Sequence, residues 1–208
     1  MQEKLNSSDN LVIAYPINDA LYLNITNRCP NACLFCIRET TGGVGYNLWL
    51  SHEPSVLEIM NAIEEYVAHA RNHYREIVFC GYGEPLLRPE VVKEVAGKVK
   101  EHQVSVRLNT NGLADLFLGY DILPELAGLI DTVSISLNAE NAEAYEKLTK
   151  TPYGTKAFQA VLDFIRRSKL VIPNVVVSVV RYPGVDIKKA ALIAEDLDVA
   201  FRIRELME

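Results

Sequence analysis

Strand-like and helix-like stretches alternate along the whole 208-residue chain, and this alternation limits the fold more than any other feature. Six short apolar segments read as strands: Leu21–Thr26, Glu76–Cys80, Val104–Asn109, Thr132–Leu137, Val175–Val180 and Val199–Arg204. Pro54 and Pro89 stand where a helix can begin, because the first helical turn needs no proline N–H. Val56, Ile59, Met60, Ile63 and Val67 follow the first at helical spacing, and Val91, Val92, Val95 and Val99 follow the second. Leu123–Ile130, Ala142–Lys150, the stripe of Phe158, Val161, Leu162 and Ile165, and Ile187–Asp196 complete the helices. Six βα-type repeats imply an α/β fold with a parallel sheet and crossover helices.

The strands separate a flat sheet from a curved one. Buried parallel strands are usually apolar on both faces. Here one face carries polar residues at period two: Tyr22, Asn24 and Thr26; Ser105, Arg107 and Asn109; Ser134, Ser136 and Asn138; Arg202 and Arg204. The alternate positions, such as Val106, Leu108, Val133, Ile135 and Ile203, are apolar and suit a helix layer. A closed eight-stranded barrel fills its lumen with side chains. Six strands curved into a partial (β/α)6 barrel, open on one side, leave a concave face with polar groups for a ligand. These residues can also bond one another or face solvent. The expected organisation is one domain over 1–208, with an N-terminal extension at 1–19 and the partial barrel at 20–208.

The net charge of −6 and pI near 5.3 argue against a general binder of nucleic acid or anionic membrane. Met1 to Asn10 is polar and has no signal-peptide core. No apolar run approaches the ~20 residues of a membrane span. A cytoplasmic protein is expected, and four cysteines without a secretory signal fit a reducing compartment.

Three of those cysteines, Cys29, Cys33 and Cys36, share the loop after the first strand with the spacing C-x-x-x-C-x-x-C. A cubane iron–sulfur cluster needs a ligand on each of four irons. Three neighbouring thiolates leave one iron open, and an open iron can bind a substrate or cofactor. A structural zinc site normally closes with four Cys or His ligands, and no second pair is present. The run also differs from the bacterial ferredoxin spacing.

One repeat later comes Gly81-Tyr82-Gly83-Glu84-Pro85, at the carboxyl end of the second strand. Parallel α/β folds place ligands there. Gly83 permits close backbone approach, Pro85 stiffens the exit, and Glu84 offers a carboxylate suited to an ammonium group. A plain turn with a solvated glutamate is the alternative. Asn109-Thr110-Asn111-Gly112 ends the third strand.

Together the cysteine triplet, the GYGEP segment and the T-N-G turn resemble the radical S-adenosylmethionine (radical SAM) superfamily, over essentially the whole chain. The phrases Tyr22–Cys29, Phe79–Pro85 and Asp121–Ala127 are similar to a small subgroup named for association with TatD-type nucleases. The resemblance implies that Cys29, Cys33 and Cys36 hold three irons of a [4Fe–4S] cluster, whose fourth iron chelates S-adenosylmethionine. Phe35 would pack near the adenine, or else only within the loop. Gly83, Glu84 and Pro85 match the family's GEP motif and would hold the methionine ammonium; Tyr82 replaces the usual first glycine. Ser136 and Asn138 fall where ribose contacts are expected, Asn109 before the T-N-G turn is a further cofactor-binding residue, and Arg107 or Arg202 would meet the methionine carboxylate. A one-electron donor such as flavodoxin or ferredoxin would reduce the cluster. S-adenosylmethionine would then yield methionine and a 5′-deoxyadenosyl radical, which takes hydrogen from a substrate. Alternatives are an activase that installs a radical on a partner protein, and a non-catalytic iron–sulfur or zinc-binding module.

Other residues carry less. Cys80 ends a strand and reads as a small buried hydrophobe. His69 and His73 lie four apart on a helix without an H-E-x-x-H context, and His102 sits at a helix end. Thr41–Leu50, with the only tryptophan, Trp49, is long for a βα loop. It either caps the site or wraps the cluster with Trp49 in the core. Arg202 and Arg204 either meet an anionic substrate or pair with Glu84 or Glu205.

Overall fold

The computed structural model describes residues 11–40, 43–69 and 74–207. The expectations that touch Met1–Asn10, Thr41, Gly42, His73 and the His69 side chain lie outside the described residues. Seven strands form one sheet in sequential order: β1 (Ala14–Ile17), β2 (Ala20–Leu23), β3 (Glu76–Phe79), β4 (Ser105–Thr110), β5 (Thr132–Ser136), β6 (Asn174–Val180) and β7 (Ala200–Arg204). Pairing is parallel from β2 to β7. β7 does not pair with β1, so the sheet is a partial barrel rather than a closed one.

Among the described residues seven α-helices connect the strands: α1 (Val56–His69), α2 (Pro89–Glu101), α3 (Ala114–Leu118), α4 (Leu123–Leu126), α5 (Ala142–Thr149), α6 (Lys156–Ser168) and α7 (Ile187–Asp196). Each longer helix buries one stripe. On α2 the stripe is Val92, Val95, Ala96 and Val99; on α6 it is Ala157, Val161, Phe164 and Ile165. These pack on the outward residues of the strands, including Val106, Leu108, Val133, Ile135, Val177 and Val179. Burying each such side chain contributes roughly 1.5–3 kcal/mol. The inward positions alternate with them and are half-buried in β4 and β5, so one side of the sheet is dry and the other polar.

Two features depart from the sequence expectations. Residues 14–17, within the expected extension, form a strand. They pair antiparallel with β2 through the two-residue turn Asn18–Asp19. Asn18 takes the left-handed conformation (φ 55°) that asparagine tolerates better than most residues. The helix expected over Leu123–Ile130 covers only Leu123–Leu126, and the short α3 precedes it.

Candidate active site

The cysteine loop leaves the carboxyl end of β2, and backbone bonds hold it from two directions. The Ala32 N–H donates to Thr149 O (3.0 Å) and the Leu34 N–H to Leu148 O (2.9 Å), both at the last turn of α5. On the other side the Glu84 N–H donates to Arg28 O (2.8 Å), which joins GYGEP to the residue before Cys29. The glycines of GYGEP are there because nothing larger fits. A Cβ on Gly83 would lie 2.4 Å from Thr26 O and 2.5 Å from Arg28 O, and one on Gly81 would lie 2.1 Å from Asn24 Oδ1.

Ionic and amide contacts fix the base of the loop. Glu53 accepts from Thr26 Oγ1 (2.5 Å) and from Arg28 Nε (2.7 Å) and Nη2 (3.1 Å). Arg88 lies 3.5 Å from the same carboxylate and donates to Ile25 O (2.7 Å) and Pro54 O (2.8 Å). Against a burial penalty, Arg28 and Thr26 hold Glu53 below the usual carboxylate range. Asn27 both donates to Leu50 O and accepts from the Leu50 N–H. Asn24 donates to Val12 O and Leu48 O and accepts from the Tyr82 N–H.

The three cysteines are free and half-buried. Burial, then the charge of Glu84, pushes the Cys29 thiol up to about 11. Burial, then Cys29 and Cys36, pushes Cys33 up to about 12. Three thiolates close enough to repel one another favour a shared polycation over separate charges. Among the described residues no group of three His, Cys, Asp or Glu is arranged for a single metal ion. A cubane takes each thiolate at a different iron, so this donor set fits a cluster. Arg38 lies beside it, donating from Nε to Cys36 Sγ (3.2 Å).

Among the described residues Glu84 is the most enclosed acid, 3% exposed. Its Oε1 accepts from Thr110 Oγ1 (2.8 Å) and the Leu86 N–H (3.2 Å), and its Oε2 from the Asn111 N–H (2.7 Å). The solvated-glutamate alternative is therefore excluded. Burial outweighs those donors and raises the carboxyl to about 7. A carboxylate has about four acceptor positions, so three donors leave Oε2 one more. Pro85 is buried and opens a 3-10 turn, Pro85–Leu87, capped by Glu84.

The remaining expected residues divide. Asn109, Ser136 and Asn138 lie toward the carboxyl ends of β4 and β5, and buried amide atoms there have no partner: Asn109 Oδ1, Asn111 Nδ2 and Asn138 Oδ1. Such orphans suit a polar ligand such as S-adenosylmethionine. Phe35 packs on Tyr182, with ring centroids 5.7 Å apart. Arg107 is not brought to this end; it engages Glu76, the first residue of β3, and Tyr22 Oη, each at 3.1 Å. Arg202 and Arg204 do not pair with Glu84 or Glu205, because Thr110, Asn111 and Leu86 occupy the first and Arg181 the second. Arg204 instead reaches back to Ser136 Oγ (3.1 Å). Trp49 is 51% exposed and meets Tyr82 edge-on at 5.1 Å, so it is not in the core. Sequence reasoning missed Asn31, Glu53, Arg88 and Tyr145; only Asn31, between two cysteines, carried any signal in its position.

The radical SAM superfamily model matches residues 23–197. The chain belongs to the radical SAM superfamily. Members of that superfamily use a [4Fe–4S] cluster and S-adenosylmethionine, and the cysteine loop and the GYGEP segment of this chain fit both. A probable GTP 3′,8-cyclase from Saccharolobus islandicus is 34% identical over 152 residues, 73% of this chain and 43% of the relative. The chain thus spans less than half the length of that relative. A radical SAM methyltransferase from Sphaerobacter thermophilus shares the fold, with a TM-score of 0.61 at 14% identity over 92% of this chain and 68% of the other. So does the methyltransferase TsrM from Kitasatospora setae, solved with cobalamin and a [4Fe–4S] cluster (TM-score 0.51, 12% identity, 85% and 35% covered). Among the described residues no helix is long and apolar enough to cross a membrane.

Proposed function

We propose that this enzyme abstracts a hydrogen atom from a substrate that carries an anionic group. When bound, the cluster and S-adenosylmethionine supply a 5′-deoxyadenosyl radical after one-electron reduction. Cys29, Cys33 and Cys36 would hold the cluster. The GYGEP backbone and the free acceptor position of Glu84 would take the methionine ammonium. Asn109, Ser136 and Asn138 would take ribose hydroxyls, Phe35 would flank the adenine, and Arg202 is the available partner for a carboxylate. The observation that carries this reading is the direct bond between GYGEP and the cysteine loop, with the Glu84 carboxylate buried behind it. A simple metal module needs no such junction.

The anionic substrate is argued from Arg204, which remains once Arg202 is given to the methionine carboxylate. Both extend from the inward face of β7, and among the described residues neither side chain is paired with a carboxylate. The relatives' name specifies a nucleotide, GTP, and the resemblance to a TatD-associated subgroup points to a nucleic-acid-linked substrate; both are anionic. A flavodoxin or ferredoxin of the cytoplasm would supply the electron. The test is anaerobic cluster reconstitution, followed by reduced-state EPR with and without S-adenosylmethionine and an assay for 5′-deoxyadenosine. A signal that changes with the cofactor, together with 5′-deoxyadenosine, is the expected result. A cluster blind to S-adenosylmethionine overturns the reading.

A further inference from the structure

Two buried side chains beside the cysteine loop have polar atoms without partners. Asn31 lies between Cys29 and Cys33 and is 4% exposed, yet neither its amide nitrogen nor its amide oxygen is bonded. Tyr145 on α5 is fully buried, and its hydroxyl is also unbonded. An unsatisfied buried polar atom costs about 1–3 kcal/mol, and native proteins hold few of them. Three in one place point to a missing partner.

The two residues are held against one another. The bonds from Ala32 and Leu34 fix the loop to the end of α5, one turn beyond Tyr145. Tyr145 stands beside Asn31 and close to Cys33 and Cys29. A tyrosine hydroxyl is protonated at neutral pH and can donate.

We propose that Asn31 donates a hydrogen bond from Nδ2 to a sulfur of the iron–sulfur cluster, while Tyr145 donates to Asn31 Oδ1 and sets which way the amide faces. The inference rests on the assignment of Cys29, Cys33 and Cys36 as cluster ligands. The direction follows from the chemistry of the three groups. Cluster sulfurs only accept, whereas the amide and the tyrosine hydroxyl can each donate and accept. The order Tyr145 to Asn31 Oδ1 and Asn31 Nδ2 to sulfur gives each of the three unpaired atoms a partner. The opposite orientation would aim an amide oxygen at an anionic sulfur. Asn31 is a positioning and tuning residue. A donor to sulfur stabilises the more negative reduced cluster and raises its potential.

The test is a redox titration of the reconstituted enzyme, followed by EPR, for the wild type, Asn31→Leu and Tyr145→Phe. Asn31→Leu should lower the reduced-to-oxidised ratio at a fixed potential about tenfold, which for one electron is about 59 mV. Tyr145→Phe should shift it the same way by less, with iron content unchanged. Pulsed EPR in D2O should find an exchangeable proton near the cluster in the wild type, and it should be lost in Asn31→Leu. Wild-type potentials in both variants, with the proton retained, overturn the inference while leaving the cluster assignment intact. A wild type that assembles no cluster overturns both. Should Asn31→Leu not hold iron, Tyr145→Phe decides alone, since it removes one oxygen outside the loop.

Discussion

The first half of the barrel, from β2 to β4, differs from the second half, β5 to β7, in how it treats polar side chains. In the first half the groups that anchor the loops are committed, while Asn31, Asn109 and Asn111 keep unbonded amide atoms. Asn24, Asn27, Glu53, Arg88 and Glu84 each hold two or more partners and lock loops into place. In the second half the inward groups are mostly idle. Asn138 Oδ1 is buried and unpaired, Ser136 receives only Arg204, and among the described residues no carboxylate meets Arg202. Cofactor-holding parts gain from geometry fixed in advance, because rigidity lowers the cost of binding. Idle groups are what a binding face needs before S-adenosylmethionine or a substrate arrives.

If the first half is a prebuilt frame, damage there should be large. Cys33→Ala should abolish the cluster while leaving the fold; iron content and circular dichroism check both, and undiminished iron would remove Cys33 from the ligand set. Gly83→Ala should come next, at about 3 kcal/mol or more, at or beyond the upper end of overpacking costs, since both obstructing atoms are backbone. Gly97→Ala on α2, which meets open space, should instead stabilise by roughly 0.5–1 kcal/mol, and paired denaturant titrations read the contrast.

Glu84 sharpens the comparison through pH. Its folded-state pKa of about 7 lies above the ordinary 4.5, so between those values the native apo-protein binds more protons than the unfolded chain. Its contribution to stability therefore falls as pH rises through that window, by about 1.4 kcal/mol per pH unit. Glu84→Gln should remove that slope. It should also destabilise below pH 4.5, because one amide nitrogen would then face a backbone N–H. A variant with an unchanged slope would show that Glu84 is not the group responsible. In the second half, Ser136→Ala should change stability by no more than about 0.5 kcal/mol, as expected for a side chain with one solvent-side contact. A large loss would end the distinction between a locked half and an idle one.

Much of the frame was legible. Four of the six parallel strands announced themselves because a sheet with one dry face writes period two into the chain, the other two read as short apolar runs, and Cys29, Cys33 and Cys36 are local. β1 was hidden because Pro16 marks against a strand; it is tolerated here at the sheet edge, where a missing N–H costs little. Arg107 and Asn24 looked like ligand groups because periodicity gives the face and not the neighbour. Glu76 on one strand and Leu48 on a loop claim them, and both pairings are non-local. Tyr145 carries no sequence signal because its significance comes from a loop over a hundred residues earlier.

That last distance bears on how the enzyme is made. The cysteine loop receives its shape from carbonyls at Leu148 and Thr149. During synthesis the three thiols emerge early, and the bonds from α5 to Ala32 and Leu34 form only once that helix has followed and docked. Iron delivered before then would meet a loop without its framework. A nascent chain halted before α5 should therefore retain iron poorly, and a chain released after it should retain iron well.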